Sequence, residues 1–305
     1  MKNAMDYEVI IIGGSYAGLS AAMSLGRALR HVLIVDNGEP CNRQTPHSHN
    51  FLTNDGQTPA VLAAKAQEQV RAYDTIHFST GLVTDLQQVA GGFSVKTNEG
   101  KQWTARKIVL ATGIRNVFPD IPGWAACWGI SVLHCPYCHG YEVRNEPTGI
   151  FGGGEAVLEM AALIHHWTKQ LTVFTHTETR PGAASLERFS EKGIGINTKE
   201  IEAIEHRKGY LEQLVFTDGS RLPLTVLYAK LPFVQQADFS GSLGYELMPD
   251  GFIKVDALQK TTVYGLFACG DNSHRLRTVA HAVAAGTAAG MAVNRELIDE
   301  AFYTY

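Results

Sequence analysis

Residues 7–18 read Tyr-Glu-Val-Ile-Ile-Ile-Gly-Gly-Ser-Tyr-Ala-Gly. The apolar run over residues 7–12 is typical of a strand buried on both faces of a parallel sheet. A helix rich in alanine and leucine is predicted over residues 19–30, and a second strand over residues 31–35. We therefore predict a strand-helix-strand unit that binds a dinucleotide, with the N-terminus of the helix facing the pyrophosphate.

The turn between this first strand and the helix has the small residues that such a unit needs. Gly13 is expected to make the tight turn, and Gly18 to let the helix pack closely on the strand. Ser15 stands where the common glycine pattern has its middle glycine. Asp36 lies 18 residues after Gly18, where a carboxylate can bind the ribose hydroxyls. The candidate dinucleotide-binding residues of this unit are Gly13, Gly14, Ser15, Ala17, Gly18, Asp36 and Asn37.

A second glycine loop over residues 152–154 repeats this pattern in a poorer form. A short strand precedes the glycines, and a helix and another strand follow them. Gly152 and Gly154 suit a second dinucleotide. NADPH needs basic side chains after the second strand for its 2′-phosphate, and Arg180 is the candidate there. Glu155, at the start of the helix, would repel a pyrophosphate, so a retained fold with a decayed nucleotide site is the alternative.

Residues 135–139 read Cys-Pro-Tyr-Cys-His. Two cysteines at this spacing can form a redox-active disulfide, half of a zinc site or the attachment site of a c-type haem. A second pair of zinc ligands at similar spacing is missing, and haem is attached in this way outside the cytoplasm. The chain has five cysteines and shows no signal-peptide pattern, which favours a reducing compartment. We therefore expect a cytoplasmic protein with a redox-active dithiol and no metal site.

The composition indicates a globular protein of two domains. The chain has 305 residues, of which 45% are hydrophobic and 18% charged. A net charge of -4 without a long basic run argues against nucleic acid and anionic membranes as partners, and no apolar run is long enough for a membrane helix. Proline-containing stretches at residues 118–122 and 231–235 are the expected crossings between domains.

The predicted fold class is α/β, with two Rossmann-like three-layer dinucleotide-binding domains, the second inserted into the first. The first domain is expected to comprise residues 1–116 and 237–305. The inserted domain, residues 117–236, has the cysteine pair and the second glycine loop.

Four signatures follow one another along the chain. They are Gly13–Gly18, Ala111-Thr112-Gly113, the cysteine pair beside the second glycine loop, and Gly270-Asp271. In this order they resemble the low-molecular-weight thioredoxin reductases over nearly the whole chain. The resemblance implies that FAD is bound by the first domain, residues 1–116 and 237–305, and it implies an inserted NADPH domain and a homodimer. It also implies that electrons pass from NADPH through FAD and the dithiol to a thioredoxin-like protein or a small-molecule disulfide.

The same resemblance assigns roles to individual residues. It places Cys138 against the flavin and Cys135 nearer to solvent. His139 takes the place of the family's acid/base aspartate, and because an imidazole titrates near neutrality we expect it to exchange the thiol proton. Glu142 is a second candidate for this role. The further FAD contacts that it implies are Arg43, His49, Ala111, Thr112, Gly113, Gly270, Asp271 and Ala280.

Two departures from the family pattern leave the direction of electron flow open. His139-Gly140 replaces the Asp-Gly pair that follows the family's dithiol, and the basic cluster after the second nucleotide strand is missing. The segment Cys-Pro-Tyr-Cys-His-Gly-Tyr-Glu over residues 135–142, and Asn42-Arg43 followed by His47-Ser48-His49, resemble more closely a branch that includes flavin dithiol oxidases, which close disulfides in small natural products. The alternatives are therefore a dithiol oxidase, a reductase with a donor other than NADPH, or a flavin redox sensor without enzymatic activity.

Overall fold

The computed structural model describes residues 5–175 and 182–303. Up to residue 139 its elements are β1 (Tyr7–Ile12), α1 (Tyr16–Arg27), β2 (Val32–Asp36), α2 (Pro59–Arg71), β3 (Ile76–Thr80), β4 (Val83–Val89), β5 (Gly92–Thr97), β6 (Gln102–Leu110), β7 (Ile114–Asn116), α3 (Trp124–Cys127), β8 (Val132–Leu133) and α4 (Pro136–His139). They are followed by β9 (Thr148–Phe151), α5 (Gly154–Ile164), β10 (Leu171–Phe174), α6 (Ala183–Glu191), β11 (Gly195–Asn197), β12 (Ile201–Arg207), β13 (Tyr210–Phe216), β14 (Arg221–Pro223), β15 (Val226–Ala229), β16 (Phe233–Gln235), α7 (Ser240–Leu243), β17 (Leu266–Ala268) and α8 (Val279–Tyr303).

The chain divides into two compact units. The first comprises Met1–Arg43, Asn50–Arg115 and Phe233–Tyr305, and the second comprises Gln44–His49 and Asn116–Pro232. The chain passes between the units at residues 115–116 and 232–233. The predicted domain boundaries, after residues 116 and 236, lie close to these two points. The prediction had assigned residues 44–49 to the first domain, whereas the structure groups them with the second unit. Which cofactor each unit binds stays a prediction at this point.

A largely parallel sheet forms the centre of the first unit. Its strand order is β3-β2-β1-β6-β5-β4, and β17 also pairs with β6. Strands β3, β2, β1, β6 and β17 run parallel, whereas β5 and β4 continue the sheet in antiparallel pairs. Ile11 pairs with Ile34 on one side and with Val109 on the other. The carboxyl ends of β1, β2 and β6 therefore meet at one edge of the sheet.

Both faces of this sheet are covered. Val9 and Ile11 of β1 belong to one core with α1 and α8, and Ile10 and Ile12 belong to a second core with β4 and β5. Helix α8 approaches α1 closely, because a Cβ atom added at Gly286 would lie 2.1 Å from the carbonyl oxygen of Ala17. The apolar run read from the sequence thus has its side chains in two separate cores.

The second unit has the same layering around a shorter sheet. Its strands β11, β10, β9, β15 and β8 pair in that order, and all of these pairs are parallel. Ile150 and Val173 pack with α5 and α6 on one face, while Phe174 and Leu227 pack with β12 and β13 on the other. Strands β12, β13 and β14 form a separate antiparallel sheet. The predicted fold class, α/β with two Rossmann-like units, is confirmed.

A buried ion cluster joins α8 to the sheet of the first unit. Lys107 of β6 is 1% exposed, and its ammonium nitrogen lies 2.5 Å from a carboxylate oxygen of Glu296 and 2.5 Å from one of Glu300. The hydroxyl of Tyr264 also donates to Glu300. The long last helix is therefore fixed to β6 by charge as well as by apolar packing. No helix within the described residues combines the length and apolar character needed to cross a bilayer.

Candidate active site

The loop between β1 and α1 lies so close to other backbone that two of its positions exclude side chains. Gly13 has φ +106°, and a Cβ atom there would lie 2.2 Å from the carbonyl oxygen of Ala111. A Cβ atom at Gly18 would lie 1.9 Å from the carbonyl oxygen of Gly13. The loop therefore holds α1, β1 and the end of β6 together, as expected for a dinucleotide turn.

The N-terminus of α1 is open to an anion. The helix begins at Tyr16, three residues earlier than predicted, and Ser15 precedes it as the capping residue. Within the described part of the chain, the Ser15 side chain makes no capping hydrogen bond and the first turn has no acidic residue. The first N–H groups of a helix lack partners inside the helix, so these can bind the oxygens of a pyrophosphate.

Asp36, at the end of β2, lies directly beside this loop. Its Oδ1 accepts a hydrogen bond from the N–H of Gly14 at 2.9 Å, and its Oδ2 accepts one from the N–H of Gly38 at 3.1 Å. A Cβ atom at Gly14 would lie 2.9 Å from the Cβ of Asp36. Each carboxylate oxygen can accept more than one hydrogen bond, so Asp36 can also bind ribose hydroxyls.

The ends of β6 and β17 meet at the same edge. The fully buried Asn272 donates from Nδ2 to the carbonyl of Leu110 at 2.9 Å and to Oγ1 of Thr112 at 3.3 Å. Gly270 has φ +90°, and a Cβ atom there would lie 2.9 Å from the Cβ of Ala17. The structure thereby brings the predicted residues Thr112 and Gly270 to the glycine loop.

Asp271 follows Gly270 and has a cationic neighbour. Its Oδ2 lies 3.7 Å from Nε of Arg277, and both side chains are less than one-fifth exposed. Burial raises the pKa of Asp271 above its usual value, and Arg277 acts in the opposite direction. Gly113, which ends the turn after β6, has φ +68° and open space where a Cβ atom would be. A carboxylate and an open backbone turn thus lie at the carboxyl ends of adjacent strands.

Four other predicted residues make local contacts or lie elsewhere. The Oδ1 of Asn37 accepts a hydrogen bond from the N–H of Glu39, and exposed Arg43 donates to the carbonyl of Pro40. Ala280 is exposed in the first turn of α8. His49, which was expected at the flavin, belongs to the second unit. Their contacts with a cofactor stay predictions.

These residues of the first unit fit FAD. A dinucleotide requires close backbone approach, uncapped N–H groups for the pyrophosphate and a carboxylate for the ribose. Gly13, Gly18, the start of α1 and Asp36 supply these features, and Asp271 adds an acceptor at the end of β17. When bound, FAD supplies the capacity to take up and release two electrons.

The second glycine loop has open space beside it at Gly154. Gly152 and Gly154 have φ +147° and +65°, and no atom lies within 4 Å of a Cβ atom built at Gly154. Gly153 caps α5 without a side chain. Arg180 and the side chain of Glu155 lie outside the described residues. NADPH binding by Gly152, Gly154 and Arg180 therefore stays a prediction.

One helical turn brings the two cysteines of the dithiol together. Cys135 caps α4, and the N–H of Cys138 donates to the carbonyl of Cys135 at 3.3 Å. Both cysteines are half-buried, whereas Tyr137 between them is 62% exposed. A Cβ atom at Gly140 would lie 2.5 Å from the carbonyl oxygen of Pro136, so this glycine is required where the turn ends. Among the described residues, no group of three or more His, Cys, Asp or Glu side chains could hold a metal ion.

His139 differs from the expectation that it titrates near neutrality. Burial, and next the charge of His49, lower the pKa of its imidazole from 6.5 to about 4. The ring is therefore neutral at pH 7, because desolvation disfavours the cation. A neutral imidazole can accept a proton from a thiol, but it has no extra proton to donate.

Tyr228 and the pair of His49 and Glu142 complete the surroundings of the dithiol. Tyr228, in β15, is 2% exposed, and burial followed by the charges of Cys135, Glu142 and Cys138 raises its pKa. The Nε2 atom of His49 lies 3.5 Å from a carboxylate oxygen of Glu142. Tyr228 was not among the predicted site residues. A single hydroxyl-bearing side chain in the otherwise apolar stretch Val226–Ala229 is the sequence feature that could have indicated it.

Comparison with known proteins agrees with this geometry. The sequence profile of the family described as pyridine nucleotide-disulphide oxidoreductase matches residues 7–286. The thioredoxin reductase tcpT of Claviceps purpurea is 31% identical, with 98% of this chain and 96% of that protein aligned. The thioredoxin reductase sirT of Leptosphaeria maculans is 34% identical, with 94% of this chain and 93% of that protein aligned. The solved structure of an oxidoreductase from Agrobacterium tumefaciens has a TM-score of 0.89 and 37% identity, covering 96% of this chain and 99% of that one.

The match to the family extends over most of the chain, across both glycine loops and the dithiol. Enzymes of the thioredoxin reductase type bind FAD, use NADPH and act on the disulfides of thioredoxin-like or other substrates. The chain therefore belongs to the pyridine nucleotide-disulphide oxidoreductase family and is an FAD-dependent disulfide oxidoreductase of the thioredoxin reductase type.

Proposed function

We propose that this chain takes electrons from NADPH and delivers them through FAD and the Cys135–Cys138 dithiol to a disulfide substrate. The observation that supports this most is the dithiol itself, two half-buried cysteines on one helical turn next to a neutral imidazole. In the same chain, the first unit has the geometry that FAD requires. Cys135 would react with the substrate, and Cys138 would exchange electrons with the flavin.

The thiol chemistry balances as an exchange of one disulfide for another. The thiolate of Cys135 attacks one substrate sulfur, and the other substrate sulfur leaves as a thiolate. The thiolate of Cys138 then attacks Cys135, closes the enzyme disulfide and releases the second substrate sulfur. The two protons lost by the cysteines end on the two substrate sulfurs. Neutral His139 can accept one of them during the exchange.

The substrate is proposed to be the disulfide of a thioredoxin-like protein or of a small molecule. Tyr137 and Tyr141, which are 62% and 67% exposed, offer apolar contact area on either side of Cys138 and His139. We further propose that the enzyme works as a homodimer in the cytoplasm, where a dithiol is kept in exchange with other thiols. Nucleic acid and membranes are not proposed as partners.

Anaerobic mixing of the oxidised enzyme with NADPH or NADH tests the proposed electron path. NADPH should bleach the flavin absorbance, and a disulfide substrate should restore it. Cys138→Ser and Cys135→Ser should retain FAD and lose disulfide turnover, whereas Cys127→Ser, at a buried thiol in α3, serves as the matched control and should retain both. If neither nucleotide bleaches the flavin of the wild-type enzyme, the proposed donor is wrong.

The neutral state of His139 also suits a second candidate, a dithiol oxidase. Oxidation of a substrate dithiol begins with removal of its protons, and a neutral imidazole accepts protons. In this direction the substrate dithiol would be oxidised to its disulfide, and molecular oxygen would be reduced to hydrogen peroxide. Incubation with a dithiol in air should then consume oxygen without nicotinamide. Absence of oxygen uptake with mono- and dithiols would exclude the oxidase.

A further inference from the structure

An ion pair near the dithiol has no part in the exchange described above. Nε2 of His49 lies 3.5 Å from the Glu142 carboxylate, and the two side chains are 19% and 40% exposed. Both residues belong to the second unit. His49 ends the segment Gln44–His49, and Glu142 lies three residues after the end of α4. Two stretches of chain that are far apart in sequence therefore meet within this unit.

The segment that holds His49 is fixed against its own unit. The Nε2 atom of Gln44 donates to the carbonyl of Trp128. A Cβ atom at Gly129, which has φ +76°, would lie 3.0 Å from Oγ1 of Thr45. Ser48 is only 6% exposed. These contacts fix the position of His49. A side chain on a loose, exposed loop has no such fixed position, and its ion pair contributes little.

The ion pair acts electrostatically on the groups around the dithiol. The charge of His49 contributes to the lowered pKa of His139, and the charge of Glu142 contributes, with those of the two cysteines, to the raised pKa of Tyr228. The titratable groups of this cluster are Cys135, Cys138, His139 and Glu142 from the dithiol segment, His47 and His49 from the segment Gln44–His49, and Tyr228 from β15; the ring centroids of His47 and His49 lie 6.3 Å apart.

We propose that His49, held by Glu142, is a positioning residue that sets the charge around the dithiol. A positive charge on His49 favours the thiolate of the dithiol and disfavours a second positive charge on His139. The Glu142 carboxylate lies 3.5 Å from Nε2 of His49 and holds the ring in this position. The inference rests on the proposed thiol-disulfide exchange for its purpose, but it concerns the reactivity of the thiols themselves.

Alkylation of the reduced protein by iodoacetamide at different pH values tests this inference without turnover. The rate at Cys135 and Cys138, measured by mass spectrometry, reports the thiolate fraction. His49→Gln should slow alkylation at pH 7 by about threefold to tenfold and move its midpoint to higher pH, because a nearby cation is lost. His49→Lys should restore most of the rate. His77→Gln, in β3 of the first unit, is the matched control for loss of an imidazole and should react like the wild-type protein.

Two results would overturn the inference. One is an unchanged alkylation profile in a folded His49→Gln protein that retains its FAD. The other is failure of His49→Lys to restore the rate, which would indicate a steric role. The effects of His49→Gln and Glu142→Gln should also not be additive, since each removes the same pair. If wild-type thiols show the expected profile but no disulfide is reduced and no dithiol oxidised, the proposed function is wrong and the inference stands.

Discussion

Replacing His139 by glutamine should change how the stability of the protein depends on pH. Burial and the charge of His49 lower the pKa of the ring to about 4, against 6.5 for an ordinary histidine. Between these pH values the unfolded chain binds a proton that the native protein does not bind. The native state is therefore at its full stability above pH 6.5 and loses stability as the pH falls towards 4.

The size of this loss follows from the pKa difference. At 1.36 kcal/mol per pH unit, the full contribution is about 3 kcal/mol below pH 4, and about 2 kcal/mol is already lost at pH 5. Because His139 is only half-buried, these values are upper bounds. Glutamine does not titrate, so the His139→Gln variant should lack this part of the acid destabilisation.

Urea unfolding of the two proteins between pH 4.5 and 7.5 measures the difference. The free energy of unfolding of the wild-type protein should fall more steeply with decreasing pH than that of His139→Gln. The contributions of all other titrating groups are the same in both proteins and cancel in the difference. His166→Gln controls for the loss of an exposed imidazole. Nuclear magnetic resonance of the ring of His139 gives its pKa directly. Parallel stability curves, or a ring that titrates near 6.5, would refute the reasoning.

Three further changes have definite expected outcomes. Lys107→Met should lower the free energy of unfolding by about 3 kcal/mol, because the buried Glu296 and the half-buried Glu300 each lose one of their two cationic partners. Lys101→Met, at an exposed ion pair, should lower it by less than about 1 kcal/mol. Gly13→Ala should abolish FAD retention in gel filtration, because the new Cβ atom would clash with the backbone of Ala111. Gly100→Ala, also at positive φ but without close neighbours, should retain FAD and lower the free energy of unfolding by about 1 kcal/mol. Asp36→Asn should weaken FAD binding about tenfold in calorimetry. The carboxylate accepts a hydrogen bond at each oxygen, whereas the NH₂ group of asparagine would face one of these backbone N–H groups, donor against donor.

The sequence predicted the fold because local patterns determine it here. An apolar run, Gly13, Gly18 and the acidic Asp36 identify the first unit, and the structure shows why, since neither glycine position can accept a Cβ atom. Element boundaries followed the sequence pattern less closely: α1 begins at Tyr16, three residues before the predicted start, and α8 spans Val279–Tyr303. These limits depend on tertiary packing, for instance on the ion cluster that fixes the last turns of α8.

The spacing of the dithiol depends on the sequence, whereas the protonation of His139 beside it depends on the tertiary structure. The sequence alone determined the spacing of Cys135 and Cys138. In a helical turn this spacing brings the two side chains onto the same face. Only the tertiary structure decided the state of His139, because the pKa of an imidazole depends on burial and on charges from distant segments. His49 lies ninety residues before His139 in the sequence, and only folding makes it a neighbour of Glu142.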